Sequence, residues 1–555
     1  MIAHRVLPIL LVACASSPPR RTEPPSRQAG PTIEAMSKGA VLFDDLGTHR
    51  REISTSSPET QRYFDQGLRL LYGFNHDEAA RSFARAAVID PACAMCYWGV
   101  AYALGPNYNV PMLADRFAAA WTALGRARVT SATAPIVERA LIEALASRYR
   151  GPEPHGPAAQ QPLNIAYADA MRRVSKRFPD DVDVQVLTAE ALMDLNPWRL
   201  WTRDGAPAPG TLEIVARLEA VLARHPEHPG ANHYYIHVVE ASRDPGRALP
   251  SADRLPSLMP GAGHTVHMPA HIYQRVGRYA DASAANRAAI VADLAYLRRV
   301  KPPGYYPMYV GHNHGFLAYS ESMLGRSASS LAASREAAKA IPPQMLDMMP
   351  GMDFFTAEPL LVMVRFGKWK ELLAEPRPDP RYNAVTGLWL HARGMALAST
   401  GRLDPARAAL AELRALAARV PADEQASNNP TRAMLAVGAK ALEARIAERE
   451  KAPNAVALWA EAVALEDTLV YAEPADWFYP LRHYHGAALL AAGHPRAAEQ
   501  VYRADLDQHP GNGWALLGLA QSLRAQHRVR EANQVEQELA RAWSSADISP
   551  ARSAY

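Results

Sequence analysis

The sequence predicts an all-α protein, a right-handed solenoid of about eight to ten helix pairs. Similar stretches recur, each with a first helix, a short turn and a second helix. The turn and the start of the second helix read GRYADA at Gly277, GRLDPA at Gly401 and GHPRAA at Gly493. Apolar residues recur with the period of a helix, and the alternation that is typical of strands is almost absent. These observations favour stacked helix pairs over separate globular domains.

The first complete unit runs from Pro58 to Pro91, and its second helix begins DEAA. Its length of about 34 residues resembles the tetratricopeptide repeat. Alanines lie where the paired helices of that family pack closely, at Ala79, Ala282 and Ala498. The resemblance covers residues 58–542, and it implies a protein or peptide partner in a concave groove. The segments CAMCYWG and HMPAHIYQRVGRY are similar to those of a group of bacterial tetratricopeptide lipoproteins with no established activity.

The start of the chain reads as an export signal. Met1 to Arg5 is basic, and Val6 to Ala13 is apolar but too short to span a bilayer. The sequence LVAC, which ends at Cys14, resembles the lipobox of bacterial lipoproteins. That resemblance implies lipidation of Cys14 and a protein anchored in the bacterial cell envelope on its periplasmic side. An ordinary signal peptide cleaved elsewhere would leave Cys14 inert and the protein free in the periplasm.

Four segments follow from these patterns. Residues 1–14 are the expected signal peptide, and 15–57 are a tether rich in proline and serine with the segment that leads into the repeats. Residues 58–542 form the solenoid, with histidine-rich repeats at about 226–326, and 543–555 form a tail. Longer loops are expected at 105–111, 196–210 and 301–307.

Composition excludes several classes of function. Hydrophobic residues make up 48% of the chain, and the 60 basic and 56 acidic residues are intermixed along the helices. Neither a nucleic-acid footprint nor a membrane-spanning run is indicated, so a lipid anchor is the only expected contact with the membrane. The phosphate loop, the G-x-S-x-G elbow and the HExxH motif are absent from the sequence. Whether the protein is an enzyme stays open.

Five histidines occupy equivalent places in two consecutive repeats. Two of them take positions 5 and 9 of the repeat after Pro226, and three take positions 2, 5 and 9 of the repeat after Pro260. In the resembled family these positions of the first helix face the concave groove. Composition alone would place about 0.2 histidine in the six sites. The five are His233, His237, His264, His267 and His271.

This pattern predicts a transition-metal site of copper, zinc or iron. Residues four apart on a helix are about 5–6 Å apart at Cβ, and packed helices are about 8–10 Å apart. Imidazoles from both helices therefore converge, and neutral imidazole nitrogens bind such metals. Pro269 within HMPAH also suits the first turn of a helix. We expect further ligands or supporting groups from Glu240, His312, His314, Glu190 and Asp194.

Two metal-free alternatives remain open at this point. The imidazoles also suit a groove that binds an acidic or aromatic peptide. The solenoid also suits a scaffold that assembles envelope proteins. A histidine pair such as His312 and His314, taken alone, is more often structural.

Two further features suggest chemistry. Cys93 and Cys96 form a CxxC at a helix start, which predicts a disulfide or, failing that, a soft-metal site. Asp194 to Trp201 interrupts a helix pair just before the histidine repeats, and it is either a loop packing its own tryptophans or a lid over the groove.

Overall fold

Paired helices follow one another along the whole of the described chain. The computed structural model describes residues 30–301, 306–343, 346 and 351–555. The first helices are α1 Ile33–Ser37, α2 Pro58–Tyr72, α3 His76–Ile89, α4 Ala94–Leu104, α5 Phe117–Thr130, α6 Ile136–Ala146, α7 Pro157–Arg177, α8 Val182–Met193 and α9 Thr211–Arg224. The middle of the chain forms α10 Pro229–Val239, α11 Leu249–Leu258, α12 Gly263–His267, α13 Pro269–Arg275, α14 Tyr279–Arg299, α15 Pro307–Met323 and α16 Ser327–Lys339.

The last third adds α17 Glu358–Arg365, α18 Trp369–Ala374, α19 Asn383–Ser399, α20 Leu403–Arg419, α21 Thr431–Arg449, α22 Ala455–Glu466, α23 Arg482–Ala491, α24 Pro495–Gln508, α25 Gly513–Ala525 and α26 Val529–Ala542. Short 3-10 turns lie at Ala114–Arg116, Ser131–Thr133, Pro245–Ala248 and Met352–Ala357. Two strands of two residues each, β1 Gln425–Ala426 and β2 Asn429–Pro430, pair antiparallel.

The prediction of an all-α solenoid of tetratricopeptide-like helix pairs is confirmed. If α12 and α13 are taken as one interrupted helix, α2 to α26 form twelve consecutive pairs among the described residues. This is more than the expected eight to ten, because short pairs such as α17 and α18 leave little periodicity in the sequence. No helix among the described residues is long and apolar enough to cross a membrane.

The turns inside the pairs explain the glycine signatures. Gly277, Gly401 and Gly493 all have φ near +80°, a left-handed conformation that ends the first helix and that glycine adopts without a steric penalty. In the first pair Phe74 takes the equivalent place, with φ of 55°. A bulky side chain in this conformation is unusual, and it lies beside the histidines.

Pro269 divides the first helix of the second histidine repeat. The sequence suggested that HMPAH opens a helix, but the helix already begins at Gly263. Proline has no amide hydrogen for the helical hydrogen bond, so α12 ends at His267 and α13 begins at Pro269. His267 and His271 therefore stay one turn apart although they belong to two helices.

Segments from distant parts of the chain meet at the histidines. The turn after α2 brings Phe74, the loop after α4 brings Tyr108, and the loop before α9 brings Trp198. The loop before α23 brings Glu473, which has a cis peptide bond to Pro474. The expected groove is therefore closed at this place, and the histidines are buried.

The ends of the described chain pack on the helices. Leu46 of the N-terminal segment is buried, and the carbonyl oxygen of Tyr555 accepts a hydrogen bond from Arg445. Cys14, the expected signal peptide, most of the tether and part of the expected loop at 301–307 lie outside the described residues.

Candidate metal centre

Six imidazoles form two groups of three. The first trio is His233 and His237 of α10 with His264 of α12, and the second trio is His267, His271 and His312 of α12, α13 and α15. Within each trio one nitrogen from every ring lies within 4.8 Å of the other two. The two trios are neighbours, because the ring centroids of His237 and His271 are 5.5 Å apart. His233, His267 and His271 have no exposed surface.

Hydrogen bonds fix the orientation of the first trio. Nδ1 of His233 is 2.5 Å from the carbonyl oxygen of Tyr72, which can only accept, so Nδ1 carries the proton. Nδ1 of His237 likewise donates to Oε1 of Glu240 at 3.3 Å. Nε2 of each ring is then left with a lone pair. Nε2 of His233 lies 3.2 Å from Nε2 of His264.

The second trio is oriented in the same way. Nδ2 of Asn286 donates to the carbonyl of Ala282 at 2.7 Å, which turns its Oδ1 toward Nδ1 of His267, also at 2.7 Å. Nδ1 of His267 therefore carries the proton, and its Nε2 has a lone pair. That Nε2 faces Nε2 of His271 at 2.9 Å. A metal-bound histidine usually has its other nitrogen held by such an acceptor.

Glu240 connects the two trios. Its Oε1 accepts from His237 of the first trio, and its Oε2 lies 2.9 Å from Nδ1 of His271 in the second. The carboxylate is 1% exposed. Burial favours its neutral form, but the imidazoles of His271 and His237 lower the pKa of Glu240 to about 2. One ionised carboxylate therefore supports ligands of both trios.

Glu473 brings a second carboxylate to His271. Its Oε2 is 2.6 Å from Nδ1 of that ring, although neither this contact nor the one from Glu240 has hydrogen-bond geometry. Burial lowers the pKa of His271, but the two carboxylates outweigh it and raise that pKa to about 9. Burial also raises the pKa of Glu473 to about 7. The second trio thus contains the most negative surroundings of the centre.

The other imidazoles are held neutral. Burial, together with neighbouring imidazoles, keeps the pKa of His233, His264 and His267 well below the usual value. Burial lowers the pKa of His312 to about 3 and also lowers that of His237. Metal binding requires the neutral ring, and this environment supplies it without competition from protons near neutral pH.

Several buried polar atoms at this place have no hydrogen-bond partner among the described residues. They are Nε2 of His237, Oε2 of Glu240, Nδ1 of His264, Nδ1 of His271 and both carboxylate oxygens of Glu473. Buried polar groups are nearly always satisfied, so a concentration of unsatisfied ones in one place requires an explanation. These are nitrogen and oxygen atoms of the types that bind transition metals, so the residues fit such an ion.

Aromatic rings surround both trios. The Phe74 ring lies 4.5, 5.6 and 5.7 Å from the rings of His233, His237 and His264. Phe316 lies 4.5, 4.5 and 4.9 Å from those of the second trio. Trp198, which also has a positive φ of 60°, contacts His237 at 5.9 Å. The interrupting loop of the sequence therefore lies over the first trio, as a lid would.

Other predicted residues lie elsewhere. His314 is half-buried near Glu336 and belongs to neither trio, because two residues along a helix turn the side chain to the opposite face. Glu190 accepts a hydrogen bond from Tyr102, and Asp194 pairs with Arg148. These two carboxyl groups form their own buried network, and no contact of theirs with the six imidazoles is seen among the described residues.

A third group of potential ligands is a hydrogen-bonded hub. Asp183 accepts from Tyr72 at 2.6 Å, from Arg51 at 3.2 Å and from His49 at 3.0 Å. His228 joins at 3.2 Å through Nε2, and its Nδ1 accepts from the amide of Ala231, so Nε2 carries the proton. The carboxylate is saturated by donors, which leaves no ligand set. The hub instead holds Tyr72, whose carbonyl orients His233.

Cys93 and Cys96 are bonded as a disulfide across the first turn of α4. Both residues are buried. A disulfide is the first of the two arrangements that the sequence predicted for this pair.

Sequence reasoning missed two residues of the centre. Asn286 had a usable signal, because it lies on the apolar stripe of α14 between Ala282 and Ala289, where an amide needs a buried partner. Glu473 had none, because it comes from a loop some 200 residues beyond the histidines and reaches them only through the fold.

Comparison with known proteins finds only distant structural similarity. No family model matches the chain, and no curated protein matches it. A structure of the human IFIT1 dimer with m7Gppp-AAAA is 11% identical, covers 88% of this chain and 91% of its own, and has a TM-score of 0.33. Yeast Tom70 is 10% identical, with coverage of 87% and 92% and a TM-score of 0.31. The Cut9–Hcn1 complex of the APC/C is 12% identical, with coverage of 88% and 74% and a TM-score of 0.30.

Proposed function

We propose that the protein binds two transition-metal ions, one at each imidazole trio, and that the pair forms a dinuclear centre linked by Glu240. Copper, zinc and iron all suit imidazole with carboxylate ligands. Within the described residues the centre offers six imidazoles and two carboxylates. The chemistry that such ions supply when bound is Lewis-acid activation or, for copper and iron, electron transfer.

The facing nitrogens carry this proposal. Two imidazole nitrogens that bind one ion at about 2.0–2.1 Å lie about 2.9–3.4 Å apart at tetrahedral or square angles. The Nε2 pairs here are separated by 2.9 Å in the second trio and 3.2 Å in the first. His233 and His267 each direct a lone pair at the other ring, since their Nδ1 atoms are committed as donors. A cation between the facing nitrogens satisfies both rings.

Three protein ligands at each ion leave a position open. Catalytic metal sites typically have three protein ligands and one exchangeable position, whereas structural sites are closed. His237, His264, His271 and His312 also line a cavity, so small molecules can approach both trios. These features favour a metalloenzyme over a metal store.

The imidazoles are poorly placed to bind a peptide. His233, His237 and His264 are at most 2% exposed, and aromatic side chains cover them. A peptide would have to displace Phe74 and Trp198 to reach them. A protein partner elsewhere on the solenoid remains compatible with the metal centre.

Metal content tests the proposal. The full chain, purified without a histidine tag and supplied with one metal at a time, should retain about two equivalents of copper, zinc or iron after desalting, measured by mass spectrometry. The variant His233→Gln/His264→Gln and the variant His267→Gln/His312→Gln should each retain about one. Less than half an equivalent in the unmodified protein, or unchanged content in both variants, overturns the proposal.

His391→Gln is the matched control. His391 is also fully buried, and its nitrogens bond the carbonyl of Gly438 and the hydroxyl of Tyr479. It contacts neither trio, so its loss should disturb a buried imidazole without changing the metal content. A fall in this variant would show that the other losses reflect damage to the fold.

The cellular place of the protein is a separate proposal. We infer from the lipobox-like LVAC that Cys14 is lipidated and anchors the protein in the bacterial cell envelope, on the periplasmic side. Bacteria that express the full chain and are fed a tagged fatty acid should label the protein, and Cys14→Ala should abolish the label. Labelling that persists in this variant would contradict the anchor.

A further inference from the structure

A cavity of about 240 Å³ adjoins both imidazole trios. This space is large enough for a small organic molecule. One wall is formed by the imidazoles of His237, His264, His271 and His312. The remaining wall is mostly apolar, with Met308, Ile341, Met352, Phe354, Leu361 and Phe478 among its side chains.

The charged groups of this wall are all acidic apart from the imidazoles. Glu358, Glu473 and Asp476 line the cavity, and no described lining residue is lysine or arginine. Glu473 contacts His271, and Asp476 accepts a hydrogen bond from Asn429 at 2.7 Å. Two of the three carboxyl groups therefore lie in contact with a polar side chain of the protein.

Glu358 is the exception. It makes no ion pair or hydrogen bond among the described residues, and its Oε1 is buried without a partner. Burial alone raises its pKa to about 8. Its Oε2 lies 3.0 Å from the position that a Cβ of residue 315 would take, so Gly315 leaves room for the carboxyl group.

Glu358 lies near the second trio, because it packs against Gly315 on the same helix as His312. Gly315 lies three residues after His312 on α15, so the two share a helix face. His237 lies on the same wall of the cavity, and its side chain is 1% exposed. Its Nε2 is also without a hydrogen-bond partner among the described residues. The cavity thus combines an apolar body, an unpartnered carboxyl group and unpartnered imidazole nitrogen.

We propose that this cavity binds a small organic amine, with its hydrocarbon part against the apolar wall and its ammonium group at Glu358. An ammonium group gives the half-buried carboxyl group of Glu358, whose Oε1 is buried, the partner that it lacks. The ligand then lies beside the second trio. This inference rests on the proposed function only for the presence of ions next to the amine.

Calorimetric titration with benzylamine tests the inference, with benzyl alcohol and phenylacetate as neutral and anionic probes. We expect the metal-free full chain to bind benzylamine more tightly than either of the other two. Glu358→Gln should weaken benzylamine binding about 10- to 100-fold, because a hydrogen bond to a charged group is lost, and should leave benzyl alcohol unchanged. Equal affinity for benzylamine and phenylacetate, or unaltered benzylamine binding in Glu358→Gln, overturns the inference.

Two more variants guard against a trivial loss. Glu371→Gln changes an exposed glutamate of α18 and should bind benzylamine as the unmodified protein does. Gly315→Ala places a methyl group against the Glu358 carboxyl group and should weaken benzylamine binding without destabilising the fold.

The titration is repeated with zinc-loaded protein. Benzylamine binding without zinc uptake overturns the metal proposal alone, and zinc uptake without benzylamine binding overturns the amine site alone.

Discussion

Nε2 of His267 faces Nε2 of His271 at 2.9 Å, while Nδ1 of His267 donates to Asn286. Because the amide oxygen fixes the proton on Nδ1, the facing nitrogen of His267 can only accept. Either Nε2 of His271 therefore donates a proton to it, from a neutral or a charged ring, or a metal ion lies between the two nitrogens. The same choice recurs between His233 and His264 at 3.2 Å, where both rings have a strongly lowered pKa, so that the alternatives are a neutral His264 that donates from Nε2 and a metal ion.

Replacement of Asn286 should weaken the second trio only. Asn286→Ala removes the acceptor that orients His267, and such supporting residues typically change metal affinity about 10- to 100-fold. Asn286→Asp keeps an acceptor in the same place and should restore binding. Competition with a chelator of known affinity measures both. Unchanged affinity in the alanine variant would show that His267 is not a ligand.

Replacement of Glu240 should weaken both trios together. Glu240→Gln retains the size of the side chain but removes the charge that supports His237 and His271. We expect both ions to be lost in one step at about 10- to 100-fold lower chelator concentration. Two separate steps, with one unaffected, would contradict the linking role of this carboxylate.

Phe74 offers a test of backbone strain beside the first trio. It has φ of 55° and is completely buried. Phe74→Ala should cost about 3–5 kcal/mol from the lost ring. Phe74→Gly loses the same ring, but glycine adopts the left-handed backbone without a steric penalty. Its free energy of unfolding in urea should therefore be about 1 kcal/mol higher than that of the alanine variant. An alanine variant as stable as the glycine variant would mean that this backbone is not strained.

The imidazoles of the centre should make the metal-free protein most stable near pH 6.5. Imidazoles with a lowered pKa, such as those of His233 and His312, contribute their stability above the pKa of the unfolded state, which is near 6.5. This stability is lost as the pH falls below 6.5, at about 1.4 kcal/mol per group for each pH unit. His271 has a raised pKa of about 9, so its contribution is complete below the unfolded pKa near 6.5, declines as the pH rises from 6.5 to 9 and is lost above 9. Urea unfolding at pH 5.5, 7.5 and 9.5 measures both limbs.

The double variant His267→Gln/His312→Gln is the control for this profile. It removes two of the imidazoles that stay neutral in the folded state, so its stability should fall less steeply below pH 6.5. A profile that is flat between pH 5.5 and 7.5 in the unmodified protein would contradict the burial of neutral imidazoles.

Local periodicity was sufficient to predict stacked helix pairs, although not their number, and to place the histidines in the repeat. His233, His237, His267 and His271 follow the repeat register, and registers translate directly into helix faces. The sequence did not show whether His312 or His314 faces the site. Residues two apart on a helix point to opposite faces, and the register of this helix was fixed only to within one residue. Only the packing of α15 selects His312.

Other parts of the centre depend on contacts between distant segments. Phe74, Trp198 and Glu473 reach the imidazoles from turns and loops, whose paths no periodic pattern specifies. The same segments bury the imidazoles, which the expectation of an open groove did not foresee. Asn286 was predictable in part. Its place on an apolar stripe indicated that its side chain is buried, but the sequence did not show that His267 is its partner.

Anomalous diffraction from crystals of the full chain loaded with one metal tests the central claim most directly. Data collected at the absorption edge of copper, zinc or iron should show two peaks. One should lie about 2.0–2.1 Å from Nε2 of His233, His237 and His264, and the other at the same distance from the nitrogens of His267, His271 and His312. Peaks absent from both trios, in crystals of protein that remains folded, would contradict the account.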